Sequence, residues 1–400
     1  MTQEPKIFPY IEHLLQGAEV VWKPLGEIAS MYGGLTGKNK TDFEGGNASY
    51  ITYKNIFDNI EVDFDKLEKV KISASEKQNK VRYGDVLFTG SSETAEDAGM
   101  SSAITTTIEE DIYLNSFSFG IRFNEDVELI PEFSKYLFRS HFMRAAISKT
   151  ASGVTRFNIS KERLKKLSIP LPPLSVQQEI VRILDKFTTL EAELEAELDC
   201  RKRQYDYYRN HLLSYEGNEV EWKTLGEVCK VLRGKRLTKR DLSASCKIPV
   251  FHGGIEPIGY YNESNRKANS TMLINVGASA GTVGFCNRDF WSSDGCFCFL
   301  HNNTIRQRFL YYVLQTMETT IKSKVRKAGI PTLDNKEVER LRIPLPPLEE
   351  QQRIVGILDK FDTLVNSISE GLPREIELRR KQYEYYREQL LSFPEYKVTA

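Results

Sequence analysis

Residues 169–190 read IPLPPLSVQQEIVRILDKFTTL, and residues 343–364 read IPLPPLEEQQRIVGILDKFDTL. The two stretches are identical at 17 of 22 positions. Two further pairs of segments match around them: VVWKPLGEI at 20–28 with VEWKTLGEV at 220–228, and RKRQYDYYRNHLLSY at 201–215 with RRKQYEYYREQLLSF at 379–393. The chain is therefore a tandem duplication. Each copy has a shared frame, which consists of these three matched segments, around a body that the other copy does not match.

The frame predicts a long helix after each proline-rich segment. Apolar residues recur there at steps of three and four, which is typical of a coiled-coil seam. Ser175 is the predicted N-cap, with Gln178 in the capping-box position. The second copy is four residues longer between its matched blocks, and a kink is expected near Gly371 and Pro373. Because each helix exposes an apolar stripe, we expect the two to pack antiparallel as a rod, the alternative being ordinary core helices.

Each body reads as α/β, with short strand-like segments followed by a helix. The strand-like segments are 51–57, 84–90 and 116–123 in the first body, and 271–277, 281–286 and 296–300 in the second. Helices are expected near 131–150 and 307–322. Shared frames around dissimilar bodies indicate one common task for the frames and two different tasks for the bodies.

Composition limits the function classes. The 400 residues include 55 Lys and Arg and 55 Asp and Glu, so any nucleic-acid site must come from local basic patches. The N-terminus does not resemble a signal peptide and no apolar run is long enough to span a membrane, which predicts a cytoplasmic protein. The 6 cysteines are expected to be reduced thiols. The 5 scattered histidines predict no metal site.

Basic residues cluster in flexible loops of both bodies, where they suit contact with phosphates and base edges. A solvated surface is the alternative for each cluster. Gly153 and Gly329 occupy equivalent places in the alignment, and a glycine turn beside Arg156, or beside Arg326 and Lys327, suits a phosphate. The candidate DNA contacts are Lys38, Lys40, Lys54 and Arg156 in the first body, and Arg233, Lys235, Arg236, Lys239, His252 and Lys327 in the second.

The repeated IPLPPL–QQ–IV–ILDKF blocks and the W–K–x–LGE openings resemble the specificity subunit of Type I restriction–modification enzymes. The resemblance covers nearly the whole chain. It implies two α/β target-recognition domains joined by two long antiparallel coiled-coil helices, a pseudo-twofold tandem duplication. The implied segments are an N-terminal segment 1–18, a first recognition domain 19–170, a central conserved helix 171–216, a second recognition domain 217–345, a distal conserved helix 346–394 and a tail 395–400.

The resemblance also implies partners. Each recognition domain would read one half of a bipartite site in double-stranded DNA, and the frames would dock two methyltransferase subunits and, through them, restriction subunits. S-adenosylmethionine, ATP and Mg would then be bound by the partners, with no cofactor in this chain. The candidate partner-interface residues are Gln178, Tyr205, Tyr208, Gln352, Tyr383 and Tyr386; helix–helix packing is the alternative for the tyrosines.

The sequence contains no recognisable catalytic motif. The Pro–Pro pairs lack the Asn or Asp of an amino-methyltransferase motif, and GGLTGKN at 33–39 has the wrong spacing for a phosphate-binding loop. A non-catalytic subunit is therefore expected. Two other classes stay open: a coiled-coil scaffold that does not read DNA, and a DNA-cutting enzyme with an unrecognised site.

Overall fold

The computed structural model describes residues 11–215 and 220–394. The chain divides into two compact units. The first unit takes residues 1–193 and 377–400, and the second takes 194–376. Each unit therefore combines one body with the beginning of one repeat's long helix and the end of the other's. The predicted tail 395–400, most of the predicted N-terminal segment and residues 216–219 lie outside the described residues.

The first body lies between a pair of frame strands and is followed by α7. Its helices are α1 (Ile11–Leu15), α2 (Leu25–Ile28), α3 (Tyr53–Asp58), α4 (Pro131–Leu137), α5 (His141–Ser148), α6 (Lys161–Leu164) and α7 (Leu174–Leu213). Its strands are β1 (Val21–Pro24), β2 (Ala29–Gly33), β3 (Ala48–Ile51), β4 (Glu68–Val70), β5 (Val86–Thr89), β6 (Ser91–Ser92), β7 (Ser101–Ala103), β8 (Ile112–Leu114), β9 (Ser118–Phe123), β10 (Ala151–Ser152), β11 (Phe157–Ile159) and β12 (Ser168–Leu171).

The second body has the same plan. Its helices, with those that come after it, are α8 (Leu225–Val228), α9 (Gln307–Thr316), α10 (Glu318–Ser323), α11 (Asn335–Glu339), α12 (Leu348–Asn366) and α13 (Leu372–Leu391). Its strands are β13 (Glu221–Thr224), β14 (Cys229–Arg233), β15 (Ile248–Phe251), β16 (Gly259–Tyr261), β17 (Ser270–Ile274), β18 (Val283–Cys286), β19 (Trp291–Ser292), β20 (Cys296–His301) and β21 (Arg342–Leu345).

The two units share a four-stranded and a three-stranded sheet of the same topology although their body sequences differ, and the first unit has a further three-stranded sheet in the order β10-β11-β6. An antiparallel four-stranded sheet has the order β2-β9-β5-β7 in the first unit and β14-β20-β17-β18 in the second. A three-stranded sheet has the order β4-β3-β8 or β16-β15-β19, and in both its last pair is parallel. The predicted α/β tandem duplication is confirmed, with sheets that are mostly antiparallel.

The frame strand before each body pairs with the frame strand after it. Strand β1 pairs with β12 so that Trp22 lies opposite Pro170, and β13 pairs with β21 so that Trp222 lies opposite Pro344. Each of these sheets has only two strands, so both are edge strands. An edge strand tolerates a proline, which has no N–H to donate to a neighbouring strand. The Trp–Lys and Ile–Pro–Leu motifs are therefore the two sides of one strand pair.

One predicted strand and one predicted cap are wrong. Residues 51–57 are not a strand, because β3 ends at Ile51 and the hydroxyl of Thr52 accepts the Asn55 N–H and caps α3. Helix α7 begins at Leu174, so Ser175 lies within its first turn. The carbonyl of Pro173 accepts the first backbone bonds of α7, because the fixed φ of proline suits the beginning of a helix.

Antiparallel helix pairs support both units. In the first unit, Phe187 of α7 stacks on Tyr386 of α13 with ring centroids 5.6 Å apart, and Glu191 pairs with Arg380. The partner number falls as the α7 number rises, so the helices run antiparallel. In the second unit, Phe361 of α12 stacks on Tyr208 of α7 at 5.4 Å, and Tyr215, just after α7, interacts electrostatically with Glu350 and Arg353 near the beginning of α12, so this pair also runs antiparallel. The predicted antiparallel packing is present within each unit.

The distal helix is interrupted rather than kinked. Helix α12 ends at Asn366 and α13 begins at Leu372, with Pro373 in its first turn. A Cβ on Gly371 would come within 2.4 Å of the Thr363 carbonyl oxygen, so this turn requires glycine. No helix of the described chain is long and apolar enough to cross a membrane.

Candidate nucleic-acid interface

In each unit, one buried glutamine attaches the body to its long helix. The Oε1 atom of Gln177 accepts the Ile130 N–H at 3.0 Å, and its Nε2 donates to the Glu128 and Pro172 carbonyls, both at 2.8 Å. Gln351 repeats this pattern, accepting the Arg306 N–H and donating to Thr304 and Pro346, all at 2.9 Å. The residues predicted from sequence are their neighbours, Gln178 and Gln352, which are exposed. The Gln–Gln motif thus combines one structural residue with one accessible residue.

A tyrosine–aspartate bond makes the second attachment. The Tyr136 hydroxyl donates to Asp185 at 2.5 Å, and the Tyr312 hydroxyl donates to Asp359 at 2.6 Å. Burial, together with the neighbouring carboxylate, raises the pKa of both tyrosines above the ordinary value. Both stay protonated donors at neutral pH. The aspartate of each ILDKF block therefore holds a body helix in place.

The four candidate partner-surface tyrosines pack within the helix pairs. Tyr205 is buried, and Tyr205 and Tyr208 both lie against Phe361. Tyr383 and Tyr386 lie against Phe187. These contacts are those of the helix-packing alternative, but Tyr208 is also 37% exposed, and the partner-interface assignment stays a prediction.

Two further frame tyrosines, Tyr207 and Tyr385, are more exposed, and sequence reasoning missed them. Their exposed fractions are 63% and 51%. They occupy the same place in the two repeats, two residues after a seam tyrosine and therefore on another side of the helix. The apolar period of the helices distinguishes the two pairs, because Tyr205 and Tyr383 fall on the seam whereas Tyr207 and Tyr385 do not.

In the first body, the structure brings Lys54 and Arg156 to adjoining grooves. Lys54 lines a groove of about 580 Å³ and Arg156 lines one of about 640 Å³, and Tyr53 forms part of both. The Nε of Arg156 donates to the Ser91 hydroxyl at 3.0 Å, and its guanidinium lies 5.7 Å from the ring of Phe117. Phe117 is itself exposed. Cations beside aromatic surfaces are typical of nucleic-acid contacts.

The remaining two candidates of the first body differ. The Lys38 ammonium pairs with Glu76 at 2.5 Å and donates to the Lys71 carbonyl at 2.6 Å, with its side chain almost fully buried. The hydrogen bond from Lys38 lowers the pKa of Glu76 to about 2. Lys38 therefore stabilises its own loop. Lys40 is exposed in the short 3-10 helix Lys40–Phe43.

In the second body, Arg233 and His252 lie near one loop. Arg233 is exposed and donates to the Asp294 carbonyl at 3.3 Å. The Nδ1 of His252 accepts the Gly295 N–H at 3.2 Å and lies 3.3 Å from an Asp294 carboxylate oxygen. The imidazole ring is thereby held at Nδ1 against the loop that contains Asp294 and Gly295. Asp294 is a neighbour of both that sequence reasoning missed.

The other second-body cations are exposed in loops. Lys235, Arg236, Lys239 and Lys327 all have exposed side chains. The Lys235 carbonyl accepts the indole N–H of Trp291 at 2.7 Å, which fixes the backbone of this basic loop. Lys327 lies in a hairpin loop. Its neighbour Arg326 exchanges two backbone bonds with Thr332, at 2.9 and 3.1 Å.

The two glycines that the sequence aligned are not equivalent in space. Ser152 pairs with Asn158 in the first unit, and Arg326 with Thr332 in the second, so both loops contain five residues. Gly153 is the first residue of its loop, whereas Gly329 is the third. A Cβ on Gly153 would come within 1.9 Å of the Arg156 carbonyl oxygen, and its φ is 147°, so this position requires glycine.

Potential metal ligands are dispersed over the described part of the chain. Within 11–215 and 220–394, no three His, Cys, Asp or Glu side chains come close enough to hold a metal ion. The six cysteines have free thiols, and four of them are buried.

Comparison with known proteins gives a consistent family. The description "Type I restriction modification DNA specificity domain" matches residues 18–199 and 218–378. A type I restriction enzyme specificity subunit of Escherichia coli is 34% identical over 420 residues, which cover 96% of this chain and 97% of the relative. A putative type I specificity subunit of Haemophilus influenzae is 32% identical over 409 residues, covering 96% and 98%. The crystal structure of a type I S subunit from M. genitalium shares the fold, with a TM-score of 0.57 at 19% identity over 99% of this chain and 100% of that one.

Proposed function

Because the chain belongs to the family of type I restriction–modification DNA specificity proteins, we propose that it is the DNA-reading subunit of such an enzyme and carries no catalytic site of its own. Each unit reads one half of a bipartite site in double-stranded DNA. The subunit works in the cytoplasm.

One observation carries this proposal: the frames are equivalent in detail while the bodies they hold differ in sequence. Both units use a buried glutamine, a tyrosine–aspartate bond and a frame strand pair at matching positions. Equivalent frames suit two copies of one partner. Different bodies on one topology suit two different DNA half-sites. A scaffold that does not read DNA has no need for two large divergent bodies.

The DNA-contact surface of each unit includes exposed cations of its body. In the first unit these are Lys40, Lys54 and Arg156, and in the second Arg233, Lys235, Arg236, Lys239 and Lys327, together with His252. Side chains of this kind bind phosphates and base edges. Lys38 supports them indirectly, since its ammonium is bound within its own loop.

The partners are two methyltransferase subunits, one on each unit, and restriction subunits that join through them. Each unit offers one exposed frame glutamine (Gln178 or Gln352) and one exposed frame tyrosine (Tyr385 or Tyr207). Exposed tyrosines are enriched among residues that dominate binding energy. S-adenosylmethionine, ATP and Mg are bound by the partner subunits.

The test is single-molecule mapping of methylated adenines in cells that express this chain with its methyltransferase. Cells that express the methyltransferase alone are the control. We expect a new split motif, two short blocks around a fixed gap. An active methyltransferase that produces no new motif with this chain would contradict the proposal.

A further inference from the structure

A duplicated hairpin projects from the same place in both units. In the first unit, the Ile159 N–H bonds to the Gly90 carbonyl at 2.9 Å, next to strand β5. In the second, the Leu333 N–H bonds to the Asn275 carbonyl at 2.9 Å, next to strand β17. Strands β5 and β17 occupy equivalent positions in the two four-stranded sheets. Each hairpin is thus bonded to the residue that follows the third strand of the four-stranded sheet of its unit.

Both five-residue loops expose an aliphatic side chain. Val154 is 91% exposed and Ile330 is 70% exposed. Among the large apolar residues within 11–215 and 220–394, only Ile368 (82%) is also exposed by 70% or more, followed by Tyr207 at 63%. The loops read GVTRF and KAGIP, so the aliphatic residue occupies the second position in one and the fourth in the other. Exposure of an apolar side chain is therefore common to both tips although their sequences differ.

Each tip also carries a cation. Arg156 lies in the first loop, and Lys327 in the second, next to Arg326. An exposed aliphatic side chain is stabilised only when it contacts an apolar surface. The adjacent cations favour a polyanion that has such a surface within it. Duplex DNA fits both requirements, since thymine methyl groups and base faces lie between two rows of phosphates.

We propose that these hairpins enter a groove of the DNA, where Val154 and Ile330 contact bases while Arg156 and Lys327 contact the flanking phosphates. This inference rests on the proposed function and adds to it the residues that make apolar base contacts. The different placement of the aliphatic residue in the two loops gives the two units different base contacts from one backbone plan.

The test uses the complex of this chain with its methyltransferase, and a DNA duplex that carries the motif found by methylation mapping. Affinity is measured at several salt concentrations for Val154→Ser, Ile330→Ser, Lys327→Ala and the control Ile368→Ser. We expect the first two variants to bind about tenfold more weakly, ~1.4 kcal/mol, with an unchanged salt dependence. Lys327→Ala should reduce the slope of log K against log salt by about 1, because one phosphate contact is lost.

Ile368→Ser makes the same chemical change at an exposed residue outside the hairpins and should bind like the native chain. Native affinity in Val154→Ser and Ile330→Ser would overturn the inference. The inference would also be overturned if Ile330→Ser and Lys327→Ala changed both the affinity and the salt slope by the same amounts, because this result indicates a misfolded hairpin. A native complex that does not select the motif duplex would instead refute the proposed function, so the two failures are distinguishable.

Discussion

Replacing Gln177 with alanine should destabilise the first unit by about 2 kcal/mol. The change removes three hydrogen bonds, at ~1 kcal/mol net each. Water can replace the bond at the Glu128 carbonyl, because that residue is exposed. The bond at Pro172 is buried, and Ile130 is less exposed than Glu128, so two of the three contributions are lost. The neighbouring Gln178→Ala is the matched control and should stay within about 0.5 kcal/mol of native, since Gln178 is exposed.

Hydrogen exchange measured by mass spectrometry is the assay, because it reports each unit separately where a single melting curve does not. A loss of ~2 kcal/mol accelerates exchange about 30-fold at ~1.4 kcal/mol per tenfold. The effect should appear in peptides that contain Ile130 and helix α4 and be absent from the second body. Equal exchange in Gln177→Ala and Gln178→Ala would refute the role assigned to the buried glutamine. Gln351→Ala should give the mirror result, confined to the second unit.

Three further outcomes are expected. Tyr207→Ala or Tyr385→Ala should reduce the number of methyltransferase subunits retained in native mass spectrometry from two to one, without a change in unfolding; retention of two would exclude that tyrosine from the interface. Acidification should release the loop held by Lys38 and Glu76. Because the pKa of Glu76 is lowered, the stability that its ion pair contributes is complete above about pH 4.5 and is lost as the pH falls towards 2. Lys38→Met should show the faster amide exchange of this loop already at pH 7. Residues 190–198 of α7 read LEAELEAEL, a four-residue repeat. Insertion of one further LEAE unit should lengthen the unread gap of the DNA motif by one or two base pairs, since four helical residues add ~6 Å and a base pair ~3.4 Å. An unchanged gap would contradict a spacing role for α7.

The repeat made the frame predictable. Two copies of the same 22-residue stretch, each succeeded by apolar residues at steps of three and four, predicted the duplication and the antiparallel helices, and both are present. The pattern did not show which of two adjacent polar residues is buried. Gln177 and Gln178 have the same chemistry, and only the position of the loop at Ile130 decides which one is enclosed. The tyrosines differ in the same way, because Tyr205 faces Phe361 whereas Tyr207 does not.

The bodies were less predictable because their contacts join distant parts of the chain. Strand β3 pairs with β8, which begins more than sixty residues later, and no local pattern encodes that choice. The end of β3 was missed for a local reason: Thr52 has a high strand propensity, yet its hydroxyl caps a helix. Lys54 and Arg156 lie about one hundred residues apart in sequence and border adjoining grooves. The cations were identified from sequence, but their arrangement required the fold.

Strands β1 and β12 pair along their whole length, as do β13 and β21, so each body returns to the place where it left the frame. A stretch of gene that encodes one body can then be exchanged between relatives without changing the register of these strands or the contacts of the helix pairs. New target sequences can be acquired by recombination of whole cassettes, while the partner proteins continue to meet an unchanged surface. Exchange of one cassette would permit the recognition site to change in a single event.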